Sequence, residues 1–257
     1  SDQSYVTNVY SKASLMLWML EYVMGEELFW NGMREYYDTW KLKHVTERNF
    51  RKIMQEHAGQ DLESFFDAWL HNTGYVDYDL TDFEVSAPVN GTYESKVEFR
   101  RLGSYRMPLE VELRLENGET VRKRWMGEHT KGTLQFWTSV QPEKVVLDPD
   151  NKILDVNWLN NISGLKEHVV LPEYPGLEYH PRDEYVVRWY PAIWYNDVDG
   201  MKLGGHIHRS YAQDRRKFEM ASWLGLKSLK YNYRVRFSDL LYQLSPNLRY
   251  SIDLMKI

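Results

Sequence analysis

The chain of 257 residues contains no cysteine. A disulfide framework, a thiolate nucleophile and a cysteine-ligated metal are therefore excluded. It also lacks an excess of positive charge. Lys and Arg number 32 against 37 Asp and Glu, a formal net charge of −5. No basic field draws in nucleic acid, so none is expected as a partner. No apolar run reaches the ~20 residues that a bilayer-spanning helix needs; the longest lies within residues 13–24. What the chain has in quantity is aromatic surface, with 10 Trp and 19 Tyr. Such side chains suit β-rich cores, carbohydrate or peptide clefts, and membrane interfaces. Hydrophobic residues at 43% and charged residues at 27% mark a globular chain, not a disordered one.

Three segments of different period follow one another, giving a multidomain chain that is α first and then β. Over residues 1–77 apolar positions follow a helical period. Ala13 to Met24 is apolar at most positions and is expected to be buried on nearly all sides. Gly25 is placed to end that helix, and Glu26 and Glu27 suit the first turn of the next. Thr46 is a candidate N-cap for a third helix closed by Gly59, and Asp61 for a fourth, "LESFFDAWL". From 78 to 162 the period changes to two. "YDLTDFEV", "SKVEFR", "PLEVELRLENGETVRKRW", "TLQFW" and "KVVLD" alternate, and Asn117-Gly118 predicts a two-residue hairpin. Short strands at this spacing predict an Ig-like β-sandwich. Leu109, Val111, Leu113 and Leu115 share its inner side. From 163 to 257, after the Pro-containing linker "VVLPEYPGLEYHPRDEY", alternation resumes. Tyr231, Tyr233, Val235 and Phe237 face one way, and Asn232, Arg234 and Arg236 the other. This is an antiparallel β-meander. It is compatible with a soluble sheet or with the first strands of a barrel, including an outer-membrane one. The chain stops inside a periodic strand, so truncation is expected at that end.

Several blocks in residues 1–74 occur together and in order: Tyr10-Ser11-Lys12, Gly25-Glu26-Glu27-Leu28-Phe29, Thr46 to Phe50, and Gly59 to Trp69. The set resembles the late catalytic domain of the gluzincin zinc aminopeptidases, the aminopeptidase N and leukotriene hydrolase family. Residues 78–160, with "RWMG", "LDPDNKILDVNWLNN" and the Asn-Gly hairpin, look like the small β-sandwich that follows in that family. One position departs from the pattern: the glycine after Tyr-x-Lys is Ala13 here. The resemblance implies a zinc-dependent metallopeptidase acting on the N-terminus of a peptide substrate. It makes residues 1–77 the helical end of the catalytic domain. The family holds zinc through H-E-x-x-H, two imidazoles at i and i+4 on one helix face, plus a later Glu. None of the eight His here has that spacing. The expectation is a C-terminal portion cut just before Tyr5, with zinc in the parent protein and none in this chain.

By this resemblance Tyr10 is the catalytic phenol that hydrogen-bonds to the oxyanion of the tetrahedral intermediate. Tyr5 is the candidate substrate-binding residue, and no metal ligand is assigned. Lys12 is taken as structural or exposed. His206 and His208 share one strand face, but two ligands do not make a metal site, and a solvated or pore-facing pair is the expectation. His44, His57 and His71 are expected to be ordinary surface or capping residues. "DPDN", Asp148 to Asn151, is expected to be a turn rather than a calcium loop. The alternative function is a non-catalytic scaffold that keeps the aminopeptidase fold and binds proteins. The expected location is the bacterial periplasm or cell envelope, with possible outer-membrane association of the C-terminal segment; a cytoplasmic location is the alternative.

Overall fold

The computed structural model describes residues 5–164, 167–170, 184–211, 215–241, 244 and 248–256. The Pro-containing linker lies almost wholly outside them. The chain divides into two compact units, Ser1–Ser163 and Gly164–Ile257. Helices come first, and the rest is mostly antiparallel β-sheet.

In the first unit a π-helical turn, Thr7–Lys12, runs straight into α1, Ala13–Met24. Gly25 breaks the chain there and α2, Glu26–Trp40, follows with Glu26 and Glu27 in its first turn. α3, Glu47–Ala58, starts on a capping box in which the Thr46 N–H and hydroxyl donate to Asn49 Oδ1 at 2.9 and 2.8 Å. It ends at Gly59. Asp61 Oδ1 accepts the Glu63 N–H at 2.9 Å and opens α4, Glu63–Phe66, which widens into a second π-helical turn, Asp67–His71. α1 is buried on one side only. Met16, Met19, Leu20 and Met24 are in the core, whereas Trp18 is 52% exposed and Ser14 is on the surface. The expectation of burial all round fails because, among the described helices, only the neighbouring α2 packs alongside it.

Six strands follow: β1 Tyr78–Val85, β2 Tyr93–Arg101, β3 Leu109–Leu115, β4 Thr120–Trp125, β5 Lys131–Thr138 and β6 Pro142–Leu147. They make two three-stranded antiparallel sheets, β1-β2-β5 and β4-β3-β6. Val97, Phe99, Leu109, Val111, Leu113 and Phe136 are each 1% exposed or less, and they join the helical apolar residues in one core. Burying each such side chain contributes about 1.5–3 kcal/mol. On the other side of β3 Glu112 is buried too, because Arg114 and Arg122 donate to it at 2.8 and 2.7 Å. Arg124 ties this layer to α1, donating to the Tyr22 carbonyl at 2.7 Å with its guanidinium over the Tyr22 ring. The β3–β4 turn is one residue longer than the Asn-Gly pattern implies. Gly118 N–H donates to the Leu115 carbonyl and Leu115 N–H to that of Glu119, so Glu116, Asn117 and Gly118 form the loop. Gly118 alone takes the positive φ, at 85°, and Asn117 uses its side chain to accept the Glu119 N–H.

The second unit is one sheet of order β12-β11-β10-β9-β8-β7. Its strands are β7 Glu167–Val170, β8 Tyr185–Asn196, β9 Gly200–Tyr211, β10 Arg215–Gly225, β11 Tyr231–Leu240 and β12 Arg249–Lys256. β8 to β12 are the expected antiparallel meander. β7 differs, pairing parallel to the first residues of β8.

Candidate functional site

Tyr10 sits in the π-helical turn that leads into α1. The turn is part of one helical run from Tyr5 to Met24, with Tyr10 inside it just ahead of α1. Its carbonyl accepts the Ala13 N–H, and Ser14 Oγ donates to the Ser11 carbonyl at 2.9 Å. A π-helical turn widens the helix by one residue and is found most often at functional sites, because it re-aims the side chains it carries. Tyr5 lies on the same run, its ring edge-on to that of Tyr10 with centroids 6.1 Å apart. The two phenols are 59% and 62% exposed, while Met16, Met19 and Leu20, about two to three turns beyond Tyr10, are locked in the core. The arrangement is a pair of accessible hydroxyl donors on a rigid base, and a phenol so placed can hydrogen-bond to an oxygen of a bound molecule.

The other singled-out residues fall outside this pair. Nε2 of His57 lies 2.7 Å from Glu35 and Nε2 of His71 lies 3.0 Å from Glu47. The Arg51 and His71 hydrogen bonds hold the Glu47 carboxyl below its ordinary range. Glu47, Arg51, Gln55 and Phe66 line a pocket of ≈ 600 Å³ on α3 and α4 that contains neither tyrosine. His206 packs its ring 4.7 Å from Tyr190. Among the described residues no three His, Asp or Glu side chains converge as metal ligands.

Asp148 to Asn151 form the expected turn, closed by the Asn151 N–H donating to the Asp148 carbonyl at 3.0 Å, and two acidic residues do structural work there and nearby that the motifs did not show. Asp148 opens the turn after β6, where its carboxylate accepts the N–H groups of Lys152 and Ile153 at 2.8 and 3.0 Å; burial pushes it up to about 6. Asp155 is 8% exposed. Its carboxylate accepts from Tyr78 N–H at 2.8 Å, Asn157 N–H at 2.8 Å and Asn161 Nδ2 at 3.1 Å. Asn160 Nδ2 donates to the fully buried Asp77 at 3.0 Å. Desolvation raises Asp155 to about 7 despite those donors. The only outward sign was the density of Asp and Asn in "LDPDNKILDVNWLNN".

The helical segment is metallopeptidase-like in sequence: residues 1–69 match the model of the Peptidase family M1 domain. Aminopeptidase N of Lactococcus lactis subsp. lactis is 33% identical over 67 residues, which are 26% of this chain and 8% of that protein. Among solved structures, Legionella pneumophila aminopeptidase A in complex with aspartic acid aligns with 56% of this chain and 17% of its own, at 19% identity and a TM-score of 0.42. The gluzincin aminopeptidase resemblance read from the motifs thus holds for the helical segment, which is consistent with a fragment of such a protein. The family match ends at residue 69, and the extension over 78–160 rests on motifs alone. The chain spans a small part of the length of either relative.

Proposed function

We propose that this chain is the C-terminal portion of a zinc-dependent aminopeptidase and that it supplies the phenol of Tyr10 to the reaction. The carrying observation is that phenol's position: exposed, on a π-helical turn, at the head of a helix fixed in the core, inside the stretch that matches the peptidase family. In this reading Tyr10 Oη donates a hydrogen bond to the oxygen on which negative charge grows as the peptide carbonyl becomes tetrahedral. The donor stabilises that oxygen more in the transition state than in the ground state, and so accelerates the step. Tyr5 lines the path of the substrate N-terminus. Zinc and its ligands belong to residues outside this chain. The sandwich braces the catalytic helices, and the parts divide at 1–77, 78–162 and 163–257. The strand orders β1-β2-β5 and β4-β3-β6 support an Ig-like reading of the second part, since they follow the A-B-E and C′-C-F order of that fold. The reading places the parent protein in the bacterial periplasm or cell envelope.

The test is Tyr10→Phe in the full-length gene product, assayed on aminoacyl-p-nitroanilides. The expected result is a kcat lower by about 10²–10³ with KM little changed. An unchanged kcat refutes the assignment. A parent sequence without H-E-x-x-H puts the scaffold reading in its place, and tight one-to-one zinc binding by the present chain overturns the location of the metal.

A further inference from the structure

The sheet of the second unit is inside out for a water-soluble protein. A half-covered antiparallel sheet normally buries its apolar face and wets its polar one. Here the reverse holds. Trp189, Ile207, Met220, Val235 and Leu254 are cross-strand neighbours in one row on one face. Four of them are 36–61% exposed: Trp189 44%, Ile207 42%, Met220 36% and Leu254 61%. On the opposite face Arg188, Asn232 and Ser238 are 8, 6 and 7% exposed. The polar face carries its own counter-charges. Arg188, His208, Glu219, Arg236 and Asp253 form one cross-strand row, and Arg236 reaches Asp253 at 2.9 Å. That face is also the hollow one, with a pocket of ≈ 350 Å³ lined by Tyr190, His206, Glu219 and Arg234 among others.

We propose that β8 to β12 are part of the wall of a membrane β-barrel, with the Trp189–Leu254 face against lipid hydrocarbon and the Arg188–Asp253 face toward a polar interior. Three further features select lipid over a protein partner. First, the apolar face ends in tyrosine at both margins, Tyr185 and Tyr250 at one and Tyr195 and Tyr231 at the other, as in interfacial girdles. Second, the lengths agree. Tyr185 to Tyr195 is about 33 Å along the strand, which at a tilt of ~40° spans the ~25 Å apolar band of such barrels. Third, charge on this face keeps to the margins. Asp239 pairs with Tyr250, Lys256 ends β12, and the Arg209 guanidinium lies 3.5 Å from the centre of the Tyr185 ring, directed to that margin.

A membrane wall has no open edges, and five antiparallel strands are fewer than the eight of small barrels. Strands of further copies of this chain complete it in the vesicle. β7 pairs with Tyr185–Arg188 alone, so among the described residues Trp189 to Asn196 lack a partner on that edge. The inference uses neither Tyr10 nor the peptidase reading, and its failure leaves both standing.

The experiment uses the 257-residue chain and vesicles of dilauroylphosphatidylcholine. Having no cysteine, the chain accepts a single nitroxide at a chosen site. The chain is expected to float with the vesicles. Labels at Ile207→Cys and Met220→Cys should then collide with oxygen and be shielded from a nickel chelate. Labels at His208→Cys and Ala221→Cys should show the opposite. Ile207→Arg should lower vesicle partitioning by roughly 30-fold, the equivalent of the ~2 kcal/mol or more that arginine costs on a lipid face near the midplane. His208→Arg should leave partitioning unchanged. A chain that stays in the aqueous phase overturns the proposal, and so does equal behaviour of the two faces. Self-association through the apolar face without vesicle binding points to a second copy as its occupant and overturns it as well.

Discussion

Asp155 turns the packing of the first unit into a measurable pH dependence. The perturbation is Asp155→Asn. In the folded chain this carboxyl titrates at about 7, against an ordinary value of 3.8. The fold therefore holds the proton more tightly than the unfolded chain does, and between those values the folded state binds more protons. Stability contributed by this group is complete below about pH 4, falls as pH rises, and is lost above about pH 7. At 1.36 kcal/mol per pKa unit the full change is about 4 kcal/mol. Asparagine cannot ionise, so the variant lacks this slope. Its amide also puts an NH2, which cannot accept, where the carboxyl group has a second oxygen that can, so one of the Tyr78, Asn157 and Asn161 donors loses its partner at a cost of ~1–3 kcal/mol. The variant should be the less stable protein at pH 5 and should close the gap by pH 8. Asp148 slopes in the same direction but is present in both proteins and cancels in the comparison. Hydrogen exchange in peptides from β3 and β6 reports the first unit by itself. Parallel stability curves for the two proteins from pH 5 to 8 refute the reasoning.

Two further substitutions probe local geometry. Thr46→Ala removes the hydroxyl of the α3 capping box and should cost about 1 kcal/mol, seen as a lower urea midpoint; an unchanged midpoint means the box does not hold that end of the helix. Gly103→Ala places a Cβ 2.3 Å from the Tyr75 carbonyl oxygen and 2.6 Å from the Asp77 nitrogen, both backbone atoms, and should destabilise by ~1–3 kcal/mol in the same assay.

The elements that a local rule governs were legible in the sequence. Gly25 and Gly59 stop helices, Thr46 caps one, and Leu109, Val111, Leu113 and Leu115 line one side of β3. The ring contact between Tyr5 and Tyr10 was not legible, since positions five apart lie on different faces of an ordinary α-helix and the π-helical turn leaves no mark in the sequence. Glu112 alternates with that β3 row, so the period turns it outward, yet it is buried under Arg114 of its own strand and Arg122 of β4. Asp155 was hidden for the same reason: its donors at Tyr78 and Asn161 are tertiary neighbours. The second sheet shows the sharpest limit. A period of two separates Tyr233 and Val235 from Asn232 and Arg234, but it is symmetric and does not say which set faces inward.

The contacts of Asp77 and Asp155 also order events in time. All six strands of the two sheets are complete by Leu147. Yet the bond from Asn160 to Asp77 spans 83 residues, and that from Tyr78 to Asp155 spans 77. Contacts this distant along a chain close late. During synthesis β1 leaves the ribosome with Asp77 beside it and waits for a clasp that lies beyond the last strand. A chain ending anywhere between 148 and 154 has all six strands of the two sheets and no clasp. Residues 155–161 thus act as a clasp, tying the start of β1 to a loop that is made only after β6.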